Sequence, residues 1–277
     1  MCLHGSDATV PLLRASVLGS TLATATAADV VARRQVLGPA NLTATNGSIS
    51  PFNGKQPRRA MPDPMYRSIL AVDIEGSTTR NNRVKEELRY ELYRLVGEAL
   101  CVTGIGTQHY HHPFTDRGDG FLVLLRPLDE IPKRLLLSHL IPVLARLLAA
   151  YNSSISPCDP PRILRLRAVI HAGEVLCDGK GFFGEDLDVA FRLLDAPRFK
   201  AELKSATVPL AVVVSDYIYQ SVIKHGYEGI EDHEYLPLVT VNVGGQRRKG
   251  WVHLPPAGGL SAVPAAAPGL LRALTER

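Results

Sequence analysis

Residues 68–78 read SILAVDIEGST, an apolar run of β-forming residues that ends at Asp73 and passes into a Gly-Ser-Thr bend. A short apolar run bounded by a turn is typical of a buried strand. The residues that follow carry apolar side chains at helical spacing and predict a helix over about 81–101. This arrangement of strand, acid, bend and helix places a carboxylate at the edge of a sheet.

The hydrophobic period changes repeatedly along the rest of the chain. Strands are predicted at 120–125, 163–173, 209–215, 238–243 and 250–254, helices at about 131–151, 184–204 and 216–224, and a pairing of 105–112 with 120–125 through the turn at 117–120. The order is βαββαβ followed by αβ(α)ββ. We therefore expect an α+β fold with a ferredoxin-like βαββαβ core and helices covering one sheet.

Composition divides the 277 residues into three parts. Residues 1–65 form a basic leader that is poor in aromatic residues, which predicts disorder, and Met61 or Met65 is an alternative start. Residues 66–256 form the predicted folded domain, and 257–277 form an Ala/Pro-rich tail. Residues 1–60 contain six basic and two acidic residues, which leaves 25 of each sign elsewhere. A nucleic-acid-binding domain is therefore not expected.

Cysteine spacing and hydropathy indicate a cytoplasmic protein. The four cysteines include no C-x-x-C pair, which argues against a disulfide framework or a zinc ribbon. The most apolar stretch, Leu135 to Tyr151, contains His139 and Arg146 and is short for a bilayer crossing, so no membrane association is expected. The leader lacks the apolar segment of a signal peptide.

Two acidic turns carry the strongest chemical signal. Asp73 ends the first strand, and Asp119 lies in the turn DRGDG before the strand at 120–125. Two carboxylates on neighbouring strand ends can hold Mg²⁺, which prefers oxygen ligands and is often shared with substrate phosphates. The bend of Gly76, Ser77 and Thr78 offers backbone N–H groups for phosphate. The alternative is that Asp73 caps a helix and that Asp119 is an ordinary turn residue.

A third element, GFFGEDLDVAFRLLDAP at 181–197, begins a helix and places Asp188 and Arg192 four residues apart on one face. A surface ion pair worth a few tenths of a kcal/mol, roughly, would explain these two residues without any function. The order of all the motifs favours function instead. D-I-x-G-S-T precedes G-D-G, which is followed by H-A-G-E-V and by G-x-x-x-x-x-A-x-R-L.

This order, over residues 68–254, resembles the class III nucleotide cyclases, the adenylate/guanylate cyclase catalytic domain family. The sequence is similar to small stand-alone bacterial members and to the pyrimidine cyclases of antiviral (phage) defence. The resemblance implies conversion of a nucleoside triphosphate to a 3′,5′-cyclic nucleotide and pyrophosphate, in signal transduction. It implies that Asp73, Asp119 and the carbonyl of Ile74 hold two divalent cations, Mg²⁺ or Mn²⁺, and that Arg192 stabilises the transition state. It also implies an antiparallel homodimer with shared sites, one chain giving the aspartates and the other the helix.

The sequence departs from the family pattern at three positions. Thr115 replaces the purine-selecting lysine and Gly181 its acidic partner, so either the base is different, such as a pyrimidine, or selectivity is lost. Asp188 replaces the asparagine that orients the ribose, and a carboxylate there only accepts hydrogen bonds. Asp116 is a candidate for the lost base contacts. Candidates for the late triphosphate-binding lysine are the basic residues of the final hairpin, Arg247, Arg248 and Lys249.

Two other function classes stay open. One is a nucleotide-binding sensor that lacks turnover, which Asp188 favours, and the other is a scaffold that recruits partners through the basic leader. Among the histidines, His109 and His111 share a predicted strand face while His112 faces away, which argues against a metal set. His171 is expected to be a partly buried histidine with its hydrogen bonds satisfied.

Overall fold

The computed structural model describes residues 61–110 and 114–256, which form one mixed sheet with helices on both faces. The strands are β1 Met65–Ile74, β2 Thr115–Asp116, β3 Gly120–Leu125, β4 Leu166–Cys177, β5 Phe182–Phe183, β6 Leu210–Ser215, β7 Leu236–Val243 and β8 Gln246–His253. The sheet order is β2-β3-β1-β4-β6-β8-β7, with β5 paired to β4. Only the β4–β6 pair is parallel.

The helices are α1 Asn82–Val102, α2 Lys133–Leu135, α3 Ile141–Ser153, α4 Glu185–Leu194, α5 Pro197–Ser205 and α6 Asp216–Ser221. A π-helical segment, Leu136–Leu140, joins α2 to α3. The order β4-β1-β3-β2 is that of a ferredoxin-like core, and β6, β8 and β7 extend it. The predicted α+β class and the βαββαβ order are therefore confirmed.

Alternation along β1 divides the core into two layers. Leu70, Val72 and Ile74 face the layer that contains the apolar sides of α1 and α3. Ile69 and Ala71 face the layer beneath α4 and α5. Asp73 continues the second series, so its side chain lies on the α4 side of the sheet.

Two predicted details of the secondary structure are wrong. The helix expected at 184–204 is two helices, because Pro197 begins α5 and cannot donate the hydrogen bond that would continue α4. Residues Thr107–His109 form a 3₁₀ turn instead of a strand, and β3 pairs with β2 and, through an isolated bridge, with Tyr110. The imidazole of His109 accepts a hydrogen bond from the N–H of Gly106, which is a local capping role.

The apolar segment Lys133–Ser153 is longer than predicted and, by length and composition alone, could cross a bilayer. Its buried residues pack into the first core layer, as expected for the core helix of a globular domain. His111, His112, residues 1–60 and the tail at 257–277 lie outside the described residues. The domain bounds therefore stay a prediction.

Candidate active site

The register of three strands brings the two acidic turns together. Asp73 pairs with Gly120 on β3 and with Arg167 on β4. A Cβ atom on Gly120 would lie 2.0 Å from the carbonyl oxygen of Val72, so only glycine allows the two strands to approach this closely. The N–H of Ile74 donates to the carbonyl of Asp119 at 3.0 Å, which holds the second turn against the end of β1.

Asp73 and Asp119 line one cavity of about 140 Å³, named here the carboxylate cavity. Its wall also includes Arg117 from the β2–β3 turn, Phe191 on α4, and Asp195 just after α4. Asp195 is exposed and forms an ion pair with Lys200 at 2.9 Å. The structure thus brings together the two aspartates that the sequence analysis singled out and adds a third carboxylate near them.

Arg167 forms a bidentate ion pair with Asp73. Its Nε and Nη2 atoms donate to the two carboxylate oxygens at 2.8 Å and 2.9 Å. Both side chains are largely buried, with exposed fractions of 10% for Arg167 and 14% for Asp73. Burial raises the pKa of the Asp73 carboxyl to about 6, although Arg167 lowers it and Asp119 and Asp195 raise it further. The carboxylate is therefore ionised at neutral pH.

The donor set fits a divalent cation that shares its coordination with a ligand. Mg²⁺ in proteins commonly uses one or two carboxylates and completes its shell with phosphate oxygens and water. Asp73 and Asp119 offer carboxylate oxygens, and each oxygen of Asp73 retains a lone pair beyond the one that accepts from Arg167. No group of three or more acidic, histidine or cysteine side chains that could hold a metal occurs within 61–110 and 114–256. A cation bound here needs ligands from a bound phosphate or from water.

The bend after Asp73 is a 3₁₀ turn, Ser77–Thr79, preceded by Gly76 in the left-handed conformation at φ 67°. The hydroxyl of Thr79 donates to the carbonyl of Gly76 at 2.9 Å, and Thr78 is exposed. Arg80 fixes the bend from behind. Its three guanidinium nitrogens donate to the carbonyls of Glu75, Pro161 and Ile163, at 2.6, 3.0 and 3.0 Å.

Asp188 and Arg192 lie exposed on α4 and do not line the carboxylate cavity. They form no ion pair with each other or with any other described residue, so the surface-pair alternative is not supported. The resemblance implies that Asp188 and Arg192 of one chain approach Asp73 and Asp119 of a second chain. Within one chain, the structure does not bring the two pairs together.

A buried hydrogen-bonded set fixes the start of α4. Asp186 accepts from His171 Nε2 at 3.1 Å and from the N–H of Glu174 at 2.6 Å, and Nδ1 of His171 lies 2.6 Å from the hydroxyl of Ser215. A Cβ atom on Gly173 would lie 2.1 Å from Cγ of Asp186. His171 is thus a satisfied histidine, as expected, and it helps to orient the helix that carries Asp188 and Arg192.

The positions predicted to select the base lie apart in one chain. Thr115 is in β2, half-buried, and Gly181 is exposed in the β4–β5 turn with open space where a side chain would project. Asp116 pairs with Arg89 at 2.7 Å and accepts from the N–H of Gly118, so it braces the turn. Of the late basic residues, Arg248 pairs with Glu185 at the start of α4.

Sequence reasoning missed Arg167, Phe191 and Asp195. Arg167 was detectable in principle, because an arginine in a strand predicted to be buried is expected to have an acidic partner. Phe191 lies directly before the singled-out Arg192, and its ring lies 3.8 Å from the guanidinium carbon of Arg117. Nothing in the local pattern marked Asp195.

No protein-family model and no curated protein matches the chain. Solved structures do match. The guanylyl cyclase Cya2 has a TM-score of 0.47 and 16% identity, covering 73% of this chain and 98% of that one. An adenylate/guanylate cyclase/hydrolase from Silicibacter pomeroyi has a TM-score of 0.44 and 19% identity, covering 70% and 99%. The adenylyl cyclase CyaB from P. aeruginosa has a TM-score of 0.44 and 14% identity, covering 70% and 94%.

Proposed function

We propose that this protein is a nucleotide cyclase that converts a nucleoside triphosphate to a 3′,5′-cyclic nucleotide and pyrophosphate. The observation that carries the proposal is the convergence of Asp73 and Asp119 on one cavity, through a strand contact that only Gly120 permits. Two carboxylates at neighbouring strand ends, next to the bend of Gly76, Ser77 and Thr78, suit polyphosphate chemistry better than they suit a purely structural turn.

In the proposed reaction the ribose 3′-oxygen forms a bond to the α-phosphorus, the bond to the β-phosphate oxygen breaks, and the hydroxyl proton passes to solvent. Asp73 and Asp119 would hold divalent cations, Mg²⁺ or Mn²⁺. When bound, such cations activate the hydroxyl and neutralise the leaving group. Arg167 keeps the Asp73 carboxylate in one orientation through its two hydrogen bonds. The carbonyl of Ile74 is the proposed third protein ligand.

The complete site is proposed to need a second copy of the chain. Asp188 and Arg192 are solvent-exposed on α4 and unpaired among the described residues, which leaves them free to reach a substrate bound at the aspartates of a partner. A guanidinium group is well suited to stabilise negative charge that develops on phosphoryl oxygens. We therefore propose an antiparallel homodimer with two equivalent sites.

The base is proposed to be a pyrimidine or to be weakly selected. Thr115 is too short, and Gly181 has no side chain, to hydrogen-bond a purine edge in the way that the family does. Asp116 does not replace these contacts, because Arg89 and the β2–β3 turn already engage its carboxylate. Signalling in antiviral defence is a role that such a product would fit.

A second candidate function is nucleotide binding without turnover. Arg167 engages both oxygens of Asp73, and Asp188 places a negative charge where the family uses a neutral amide. Both features favour a sensor in which the site binds its ligand but does not complete the reaction. Product formation separates the two functions.

The test is incubation of the full-length protein with ATP, GTP, CTP and UTP separately, with Mg²⁺ or Mn²⁺, followed by mass spectrometry of the products. We expect a cyclic nucleotide and pyrophosphate. Asp73→Asn and Asp119→Ala should each abolish turnover and retain the wild-type circular dichroism spectrum. Asp73→Asn is used instead of Asp73→Ala because its amide oxygen can still accept a hydrogen bond from the largely buried Arg167. Cyclase activity in either variant would contradict the assigned roles.

A further inference from the structure

Asp186 is an acidic residue on the buried face of α4. It lies in the first turn of the helix, and the positions one and two turns further along the same face are the buried residues Ala190 and Leu193. Asp188 and Arg192 lie on the opposite face and are exposed. The side chain of Asp186 is 33% exposed, and a carboxylate that is removed from water lowers stability unless it is paired or hydrogen-bonded. The contacts of Asp186 therefore decide how α4 packs.

Both oxygens of this carboxylate have directional partners on β4. Oδ1 accepts from Nε2 of His171 at 3.1 Å, and Oδ2 accepts from the N–H of Glu174 at 2.6 Å. The carboxylate fits between these partners because residue 173 is glycine, since a Cβ atom there would lie 2.1 Å from Cγ of Asp186. The three contacts fix the start of α4 at one place along β4.

The other contacts of α4 fix its rotation and its position along the strand less well. The buried residues of the helix are apolar, and hydrophobic contacts have no preferred direction. The ion pair of Glu185 with Arg248 is partly exposed, and exposed pairs contribute little to stability. A buried polar network with all its hydrogen bonds made specifies one arrangement. Asp186 is therefore the side chain of α4 that sets where Arg192 projects.

The network continues from His171 to α6. Nδ1 of His171 lies 2.6 Å from Oγ of Ser215, and the same oxygen accepts from the N–H of Ile218 at 3.3 Å. The hydrogen bond from His171 lowers the pKa of the Asp186 carboxyl, which is ionised at neutral pH. An ionised carboxylate only accepts, so Nε2 of His171 carries a hydrogen, and in the neutral ring the Ser215 hydroxyl donates to Nδ1. Asp186 thereby selects one tautomer of the imidazole.

We propose that Asp186 is a positioning residue for the cyclisation reaction, because it holds α4 where Arg192 reaches a substrate bound at the aspartates of a partner chain. This inference rests on the proposed function, and it assigns Asp186 and Arg192 to the same half of the shared site. Asp186 does not touch the substrate, because its carboxylate faces β4. Its loss should therefore slow the chemical step without a matching loss of substrate affinity.

The first test is the kinetics of full-length variants with the triphosphate that the wild type cyclises fastest. Asp186→Ala should lower kcat by about tenfold to a hundredfold, the size expected when a group that acts in the transition state is misplaced, and should change KM by less than about threefold. Gly173→Ala should act in the same way, because its methyl group displaces the end of the Asp186 side chain. Asp232→Ala is the control and should match the wild type, because Asp232 is exposed and its side chain makes no hydrogen bond or ion pair within residues 61–110 and 114–256.

Mixing of variants separates a positioning role from general damage to the fold. Each site of the proposed dimer takes its aspartates from one chain and α4 from the other. Asp186→Ala should therefore regain activity when mixed with Asp119→Ala, which has an intact α4, but not when mixed with Arg192→Ala, whose α4 half is also defective. Recovery with neither chain, or equal recovery with both, would overturn the assignment.

The tautomer of His171 gives a readout that does not depend on turnover. In Asp186→Asn the amide oxygen accepts from the N–H of Glu174, so the amide NH₂ group faces Nε2 of His171, which must then lose its hydrogen. The nitrogen chemical shifts of the imidazole should report a change to the Nδ1–H tautomer, and an unchanged tautomer would contradict the network. If the tautomer changes but the wild type cyclises no nucleoside triphosphate, the network stands, and the proposed reaction and the positioning role in it are wrong.

Discussion

Asp73 should make the protein less stable as the pH rises, and the effect can be isolated with Asp73→Asn. Burial raises the pKa of this carboxyl from 3.8 to about 6 in the folded state. Between these two values the unfolded chain has released the proton and the folded chain still holds it. The folded state then binds more protons, so its stability falls as the pH rises. The loss begins near pH 3.8 and levels off about one unit above pH 6.

The size of the effect follows from the shift in pKa. At about 1.4 kcal/mol per pKa unit, the shift costs the folded protein about 3 kcal/mol once the carboxylate is ionised. Integration of the linkage relation places about half of this loss between pH 5 and pH 8. Asn does not titrate, so the free energy of unfolding of Asp73→Asn should lack this dependence on pH. Loss of the ion pair with Arg167 changes the absolute stability of the variant but does not add a pH dependence from residue 73.

The measurement is urea unfolding of both proteins at pH 5 and pH 8 in EDTA. The free energy of unfolding of the variant minus that of the wild type should rise by about 1 to 2 kcal/mol over this interval. Mn²⁺ provides a second readout, because a ligand at about 100 times its dissociation constant stabilises the folded state by about 2.7 kcal/mol. Mn²⁺ should raise the melting temperature of the wild type more than that of the variant. If the difference in free energy of unfolding between the two proteins is the same at pH 5 and pH 8, the assignment of a raised pKa to Asp73 is wrong.

Three further predictions concern assembly, base and packing. Asp73→Ala and Arg192→Ala chains, each inactive alone, should regain activity when mixed; no recovery, or a sedimentation profile of monomers only, would contradict a shared site. UTP or CTP should be turned over at least as well as ATP and GTP, and Thr115→Lys with Gly181→Asp should shift preference toward a purine; a wild type that makes only cyclic AMP is the contrary result. Gly120→Ala should lower the free energy of unfolding by about 1–3 kcal/mol, since its Cβ would overlap the backbone of β1, and a thermal melt equal to that of the wild type would contradict this.

Local periodicity was sufficient to predict most of the fold. The strand at Gly120–Leu125 and the helix at Asn82–Val102 lie within one or two residues of their predicted bounds, because each has a single uninterrupted apolar period. The prediction of a single helix at 184–204 was wrong because one residue ends the helix although the apolar period continues. Pro197 divides a helical pattern that otherwise continues, and only backbone chemistry reveals the break.

The candidate site was predicted only in part, because local sequence patterns mark strand ends but not contacts between distant strands. Asp73 and Asp119 end or precede strands, and strand ends are visible in the sequence. Arg167 pairs with Asp73 across 94 residues, and that contact depends on the register between β1 and β4, which no local pattern specifies. The contact of Arg117 with Phe191 likewise depends on how α4 packs beneath the sheet. The catalytic and binding roles of these residues stay predictions.

Arg80 has a consequence for how the chain matures during synthesis. Its guanidinium ties the β1–α1 bend to the carbonyls of Pro161 and Ile163, which lie 81 and 83 residues further along the chain. A nascent chain that has not yet emerged past Ile163 can form α1 but lacks the contacts that fix the bend. The fixed bend therefore requires about three-fifths of the polypeptide, because its last anchoring carbonyl belongs to Ile163 in a chain of 277 residues.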